Sequence, residues 1–215
     1  MGEHPGSRGM YDAIAQWGSC SVVWSESMRW DRFGILGVLG DYVLRYVKGD
    51  IIEIGVGESS VFLTKLAEKY RRRVYHDDLQ NSHIVNMKTV PGIFNQVGVV
   101  YAGSSDDFFA NVEFSPIALG FIDGEHTYEQ VKKDFWNTYK LLVEGGYIFL
   151  HDTYPLNEDY LTPTTCGDVY KFRQELEVRS HEVGDVEVFT FPHGAMDVGL
   201  TMVRRLPIER PYFRR

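Results

Sequence analysis

The sequence predicts a single α/β domain: a mostly parallel, seven-stranded sheet that ends in an antiparallel strand pair, with helices on both faces. Three observations lead there. Short apolar runs bounded by turn residues alternate with stretches of helical spacing from residue 33 to residue 203. The first of those runs, at 51–54, leads straight into Gly55 and Gly57 and then into a helical segment, as a strand-to-helix turn of a parallel sheet does. The last two runs, 186–191 and 198–203, are joined by the short loop 192–197, which suits an antiparallel pair. The 215 residues, 44% of them hydrophobic, can fill one core and are few for two full domains.

The elements follow in order. Residues 33–47 space their large apolar side chains as a helix does, and Lys48-Gly49-Asp50 ends the pattern. Strand one is expected at 51–54 and a helix at 61–70. Strands two, three and four are expected at 73–76, 98–101 and 117–122, with intervals long enough for crossovers. Residues 127–143 place Val131, Phe135, Tyr139 and Leu142 at helical spacing, and Gly145-Gly146 closes that helix before an apolar strand at 147–150. A loop rich in Pro, Asn, Asp and Thr, 153–167, precedes a helix at 169–178 and the closing pair. Residues 1–47 are read as an N-terminal segment with its helix, and 48–215 as the body of the same compact domain.

Charge and cysteine content narrow the function. With 22 basic and 30 acidic residues the net charge is −8, and the dense cationic runs are Arg71-Arg72-Arg73, at an expected helix end, and Arg214-Arg215. Such a balance does not suit a phosphate backbone, so nucleic acid is not expected as a partner. Cys20 and Cys166 match no metal or redox spacing, and no apolar run nears the length of a membrane span. The expectation is a cytoplasmic protein with two reduced thiols, acting on a small molecule and not at a membrane.

The turn after strand one narrows it further. Gly55 and Gly57 keep Cβ atoms away from a bound ligand, and the following helix offers unpaired N–H groups. A dinucleotide fingerprint needs a third glycine where Ser60 stands. Glu53 near the strand's end repels a pyrophosphate but suits a cationic amino-acid or sulfonium group. That charge pattern fits S-adenosylmethionine. Glu53, Asp78, Ser104, Asp123 and His151-Asp152 each lie at or just past the end of a successive strand, where ligands of such sheets bind.

Three stretches, Glu53-Ile-Gly-Val-Gly-Glu58, Phe121-Ile-Asp-Gly-Glu-His-Thr-Tyr128 and Gly145-Gly-Tyr-Ile-Phe-Leu-His-Asp-Thr153, together resemble the class I S-adenosylmethionine-dependent methyltransferases. More narrowly they resemble the small metal-dependent O-methyltransferases related to macrocin O-methyltransferase and cephalosporin hydroxylase-type proteins. The resemblance spans about residues 48–204 and implies a Rossmann-like fold, S-adenosylmethionine as cofactor, Mg²⁺ or another divalent cation, and a sugar or natural-product acceptor.

Carried over by position, it implies that Glu53, Gly55 and Gly57, with Glu58 and Ser59 beyond them, line the methionine part of the cofactor. Asp78 takes the ribose hydroxyls, with Asp77 as the alternative. Ser104, Ser105 and Asp106 are adenine-side candidates. Asp123, His151 and Asp152 are the metal candidates. His126 or His151 is the general base, with Asp123 catalytic and also within reach of the cofactor. Glu125 stands beside them without a fixed role.

Other assignments compete. Asp123 can cap the helix starting near Thr127, and Asp152 can form a turn with Thr153. Trp17, Trp24, Met28 and Trp30, with 154–160, form a substrate lid, or else pack on the sheet or build a homodimer interface. His76, His83, His181 and His193 have no matched partner in sequence, and Met196 reads as a packing residue. Two further functional readings stand beside methyl transfer: a nicotinamide-dependent Rossmann-type oxidoreductase, and a non-catalytic cofactor-binding domain.

Overall fold

The computed structural model describes residues 33–88, 97–192 and 198–207. Seven strands, β1 Asp50–Ile54, β2 Val74–Asp78, β3 Val97–Ala102, β4 Ile117–Ile122, β5 Leu142–His151, β6 Val186–Phe191 and β7 Leu200–Arg205, form one sheet in the order β3-β2-β1-β4-β5-β7-β6. Neighbours from β3 through β5 are parallel, and β7 runs antiparallel to both β5 and β6. The helices are α1 Gly34–Tyr46, α2 Glu58–Tyr70, α3 Asn81–Met87, α4 Ser105–Asn111, α5 Tyr128–Leu141 and α6 Val169–Glu182.

Strand alternation divides the core in two. Ile51 and Ile52 are both fully buried but point to opposite faces, as successive strand residues must. On one face Leu36 and Leu44 of α1 and Leu63 and Leu66 of α2 pack against Phe121 and Phe149. On the other, Phe108, Phe135, Phe172 and Leu176 from α4, α5 and α6 pack against Ile52, Ile122 and Ile148. Every residue of β4 is buried, so a central parallel strand reads in the sequence as a continuous apolar run. The crossovers turn all the functional loops to the carboxyl ends of β1 to β5.

Several boundaries move. The helix α2 begins three residues earlier than periodicity suggests, because polar Glu58-Ser59-Ser60 already form its first turn. Strand β2 continues to Asp78, since Asp77 and Asp78 pair with Tyr101 and Ala102. Strand β5 starts at Leu142, not after the glycines: Leu142 pairs with Ile117, and a register shift before Leu119↔Tyr147 absorbs Gly145-Gly146. Strand β7 begins at Leu200. The short helices α3 and α4 have no counterpart in the expected elements. Trp17, Trp24, Met28, Trp30, Cys20, His193, Met196 and Arg214-Arg215 lie outside the described residues. No helix among the described residues is long and apolar enough to cross a membrane.

Candidate active site

The β1–α2 turn is set by close backbone approach. Gly55 has φ +90°, and a Cβ there would lie 2.0 Å from the Asp123 carbonyl oxygen. The two strand ends are stitched at that point, Gly55 N–H donating to Asp77 O at 2.8 Å and Asp123 N–H to Ile54 O at 2.8 Å. Gly57 differs, with no atom within 4 Å of where its Cβ would stand, so its backbone faces open space at the rim. Asp78 closes the turn from the next strand. Its carboxylate accepts from Val56 N–H at 2.9 Å and from Gln80 N–H at 2.6 Å, and meets His83 Nδ1 at 3.1 Å.

Glu53 is turned inward. Its fully buried carboxylate accepts from Ser59 Oγ at 2.6 Å and Ser60 Oγ at 2.7 Å, and His76 Nδ1 lies 2.6 Å away. It therefore ties the start of α2 and strand β2 to β1. His76, without a partner in the sequence reading, sits opposite Glu53 in the parallel register, the one signal that would have paired them. His83 likewise gains Asp78, one turn into α3.

On the adenine-side segment, Ser104 caps α4, accepting from Asp107 N–H at 3.1 Å and donating to Asp107 Oδ2 at 2.7 Å. Ser105 accepts from Gln130 Nε2 at 2.9 Å, and Asp106 pairs with Lys133 at 3.3 Å. Glu58 lies exposed in the first turn of α2. Asp77 faces the other side of the sheet from Glu53. It is 2% exposed, its Oδ1 has no hydrogen-bond partner, and burial, helped by Asp134 and Asp78, pushes its pKa up to about 7.

Four side chains meet at the ends of β4 and β5. His151 Nδ1 lies 3.1 Å from Asp123 Oδ1 and 3.2 Å from Asp152 Oδ1; His126 Nε2 lies 3.0 Å from Asp152 Oδ2 and 3.7 Å from Asp123 Oδ1. Burial disfavours charge on His151, but Asp123 and Asp152 outweigh it and push its pKa up to about 10. Burial would likewise raise Asp123, yet the neighbouring His151 and His126 hold its carboxyl well below the usual range. His126 is raised, first through its contact with Asp123.

Asp123 does not cap α5, because Thr127 does so by accepting from Gln130 N–H at 3.3 Å. Thr127 also donates to Glu125 Oε1 at 3.1 Å. Asp152 adopts φ +58°, a left-handed conformation that Asp tolerates better than most residues. The loop after β5 folds back on the cluster: Asp168 N–H donates to His126 O at 3.2 Å, and Cys166 Sγ lies 3.7 Å from Asp152 Oδ1.

Among the described residues, the side chains whose donor atoms converge as a metal site's do are Asp123, His126 and Asp152, all within 4.8 Å of one another. Two carboxylates and one imidazole match Mg²⁺, Mn²⁺ or Fe²⁺ better than structural zinc. His151, expected in that set, is instead buried beneath it and turns Nδ1 to the two carboxylates.

A family described as a methyltransferase domain matches residues 52–153, the stretch from β1 to the end of β5 that builds both halves of this rim. The strand order β3-β2-β1-β4-β5-β7-β6, parallel but for β7, the last strand of the chain, is that of the Rossmann-like methyltransferase fold. No curated protein sequence matches the chain significantly. The methyltransferase fold is shared with TomG of Streptomyces achromogenes, an O-methyltransferase of tomaymycin synthesis solved with S-adenosylmethionine, at 19% identity, TM-score 0.59 and 81% of each chain. It is shared also with an O-methyltransferase of Bacillus cereus in complex with S-adenosylhomocysteine, at 18% identity and TM-score 0.57, covering 91% of this chain and 87% of that one. An rRNA methylase of Streptococcus thermophilus superposes with TM-score 0.58 at 15% identity, over 84% of this chain and all (100%) of that one. The methyltransferase fold is thus common to proteins with different acceptors, and the acceptor has to be argued from the site.

Proposed function

We propose that the protein transfers a methyl group from S-adenosylmethionine to a hydroxyl of a small molecule. One observation carries the reading: the glycine turn with Asp78, at the ends of β1 and β2, opens on the same rim as the Asp123–His126–His151–Asp152 cluster at the ends of β4 and β5. The first half fits the cofactor. Gly57 leaves its backbone open at the rim, and Asp78 places a carboxylate with accepting capacity beside it. S-adenosylmethionine, when bound, supplies the methyl group as a sulfonium.

The second half fits activation of an acceptor. Methyl transfer to oxygen is an in-line displacement in which the hydroxyl must be aligned and lose its proton. Asp123, partly open to solvent, and Asp152 would hold a divalent cation together with His126, and the cation would lower the hydroxyl's pKa. His151 is shielded and turns Nδ1 to both Asp123 and Asp152, so its part is to hold the two carboxylates at a fixed spacing rather than to reach the acceptor. His126 is the imidazole that reaches the surface of the cluster, and it is the group that would take the proton if turnover survives removal of the cation. The net charge of −8 supports a small acceptor over an RNA.

The test is calorimetric titration with S-adenosylhomocysteine, with and without Mg²⁺, beside NAD. Binding of the first and not of NAD is the expected result; the reverse would transfer the chain to the oxidoreductases. Asp123→Ala should keep most of the cofactor affinity and lose turnover, and unchanged turnover would remove Asp123 from the chemistry. A chelator should abolish activity, with Mn²⁺ or Mg²⁺ restoring it; full activity in chelator assigns the proton to His126 alone.

A further inference from the structure

Charge is divided unevenly between the two ends of the sheet. The connections that follow β1 to β5 at the rim, residues 55–57, 79–80, 103–104, 123–127 and 152–168, contain no lysine or arginine. They hold six acids, Asp123, Glu125, Asp152, Glu158, Asp159 and Asp168. The connections leading into β1 and β2 at the other end carry Lys48 and Arg71-Arg72-Arg73 instead. Cations that border the rim from the helices are already engaged: Lys133 with Asp106 at 3.3 Å, Lys171 with Asp168 at 3.0 Å, and Arg173 with Glu177 at 2.6 Å.

Within the acceptor half, Asp123 and Asp152 are answered by His126 and His151. Glu125, Glu158 and Asp159 have no cationic partner among the described residues, and all three are exposed. Glu125 stands between Asp123 and His126 in the chain and takes its hydrogen bond from a neutral donor, the Thr127 hydroxyl, at 3.1 Å. Glu158 and Asp159 lie in the single helical turn 158–160. That turn is drawn to the cluster, because Cys166 N–H donates to Tyr160 O at 2.9 Å while Cys166 Sγ lies 3.7 Å from Asp152 Oδ1. The same loop offers an apolar footing. Tyr154 and Leu156, two and four residues past Asp152, are 44% and 57% exposed. Its base is fixed in advance, with Tyr154 N–H donating to Val198 O at 2.7 Å and Arg173 Nε to Thr153 O at 3.0 Å.

We propose that the acceptor is a small amine-bearing molecule, a cation at neutral pH, whose apolar body rests on Tyr154 and Leu156 and whose ammonium faces Glu125, Glu158 and Asp159. Calling this ligand the acceptor rests on the methyl-transfer reading; its charge class rests on the rim alone. Uncompensated carboxylates at the mouth of a site draw a cation and repel an anion, so phosphorylated and carboxylate-bearing molecules fall outside the class. A divalent cation held by Asp123, His126 and Asp152 would offset the two carboxylates that hold it and leave the other three acids in place. The preference acts at an open surface, and salt weakens it.

The test uses three probes alike in size and in their phenolic hydroxyl but not in charge: tyramine, 4-ethylphenol and 3-(4-hydroxyphenyl)propionate. Dissociation constants are measured by ligand-observed NMR on the full chain at low and high salt. Tyramine should bind about tenfold tighter than the anionic probe at low salt and within about twofold of it at high salt. Glu125→Gln, Glu158→Gln and Asp159→Asn combined, all at exposed positions, should erase the ratio and leave the melting temperature and the affinity for 4-ethylphenol unchanged. Leu156→Ser should weaken all three probes alike. Equal affinities, no binding of tyramine, a ratio that survives the triple substitution, or indifference to Leu156→Ser would each overturn the proposal. The probes are offered with and without S-adenosylhomocysteine. Failure of that compound to bind strikes the methyl-transfer reading, whereas the charge ranking is read in the free protein and stands or falls by itself.

Discussion

At residue scale the rim is built from conformations that few side chains can replace. Gly55 combines φ +90° with a Cβ position 2.0 Å from Asp123 O, so Gly55→Ala must push β1 away from the end of β4. The expected loss is about 3–5 kcal/mol by urea unfolding, since both backbone strain and overlap contribute. A loss below about 1 kcal/mol would show that the turn relaxes at no cost and that the two strand ends are not rigidly stitched. Asp152 is the opposite case, a strained backbone kept by a side chain. Asn tolerates φ +58° at least as well as Asp, so Asp152→Asn should melt within a few degrees of the parent. It removes a charge that faces both His126 and His151, and turnover should fall at least about tenfold. Equal turnover would reduce Asp152 to a structural residue.

At the scale of elements, Glu53 shows how a residue chosen for its place in a motif can serve the fold. Its two oxygens receive Ser59, Ser60 and His76, joining α2 and β2 to β1 without exposure to solvent. Glu53→Ala would leave two hydroxyls and an imidazole without their common acceptor, at roughly 3–5 kcal/mol, read as a lowered denaturation midpoint with an unchanged slope. A drop under 1 kcal/mol would mean that water takes over the bonds. The strands were legible because buried parallel strands are apolar throughout, as β4 is. Helix α5 was legible for its periodicity, Val131 and Phe135 both buried on one side. The short helices were not, because α3 and α4 span seven residues each, too few for a 3.6-residue period to declare itself. At the site, Asp123, His151 and Asp152 were legible as strand-end residues. That His126 rather than His151 completes the three converging donors depended on how the loop after β5 folds back, with Gly167 fitting only because a Cβ there would lie 1.8 Å from His126 O.

At the scale of the molecule, the two halves of the rim distribute charge differently. In the His126–His151 half, each carboxylate has an imidazole beside it. Below the glycine turn, Asp77 and Asp134 are buried at 2% and 1% exposure, the charge of Asp134 disfavours that of Asp77, and burial pushes Asp134 up to about 6. Asp134 has Gln130 as a donor at 3.0 Å and ionises first; its charge then acts on Asp77, which follows at about 7. The sign of the linkage is fixed by these values. Between the unfolded carboxylate pKa near 4 and the folded value near 7, the folded chain binds the extra proton, so stability falls as pH rises through that window and levels off above it. Asp77→Asn replaces the neutral acid by an isostere of the same size. It should therefore match the parent near pH 4–5 and exceed it by roughly 1–3 kcal/mol at pH 8, where the parent must hold an unpaired buried charge. Urea midpoints of both proteins at the two pH values decide it. A stabilisation independent of pH would mean that Asp77 is not the group titrating near neutrality. A loss of stability at pH 8 would mean that the buried carboxylate draws on a donor that the surrounding helices α4 and α5 supply only to the charged form.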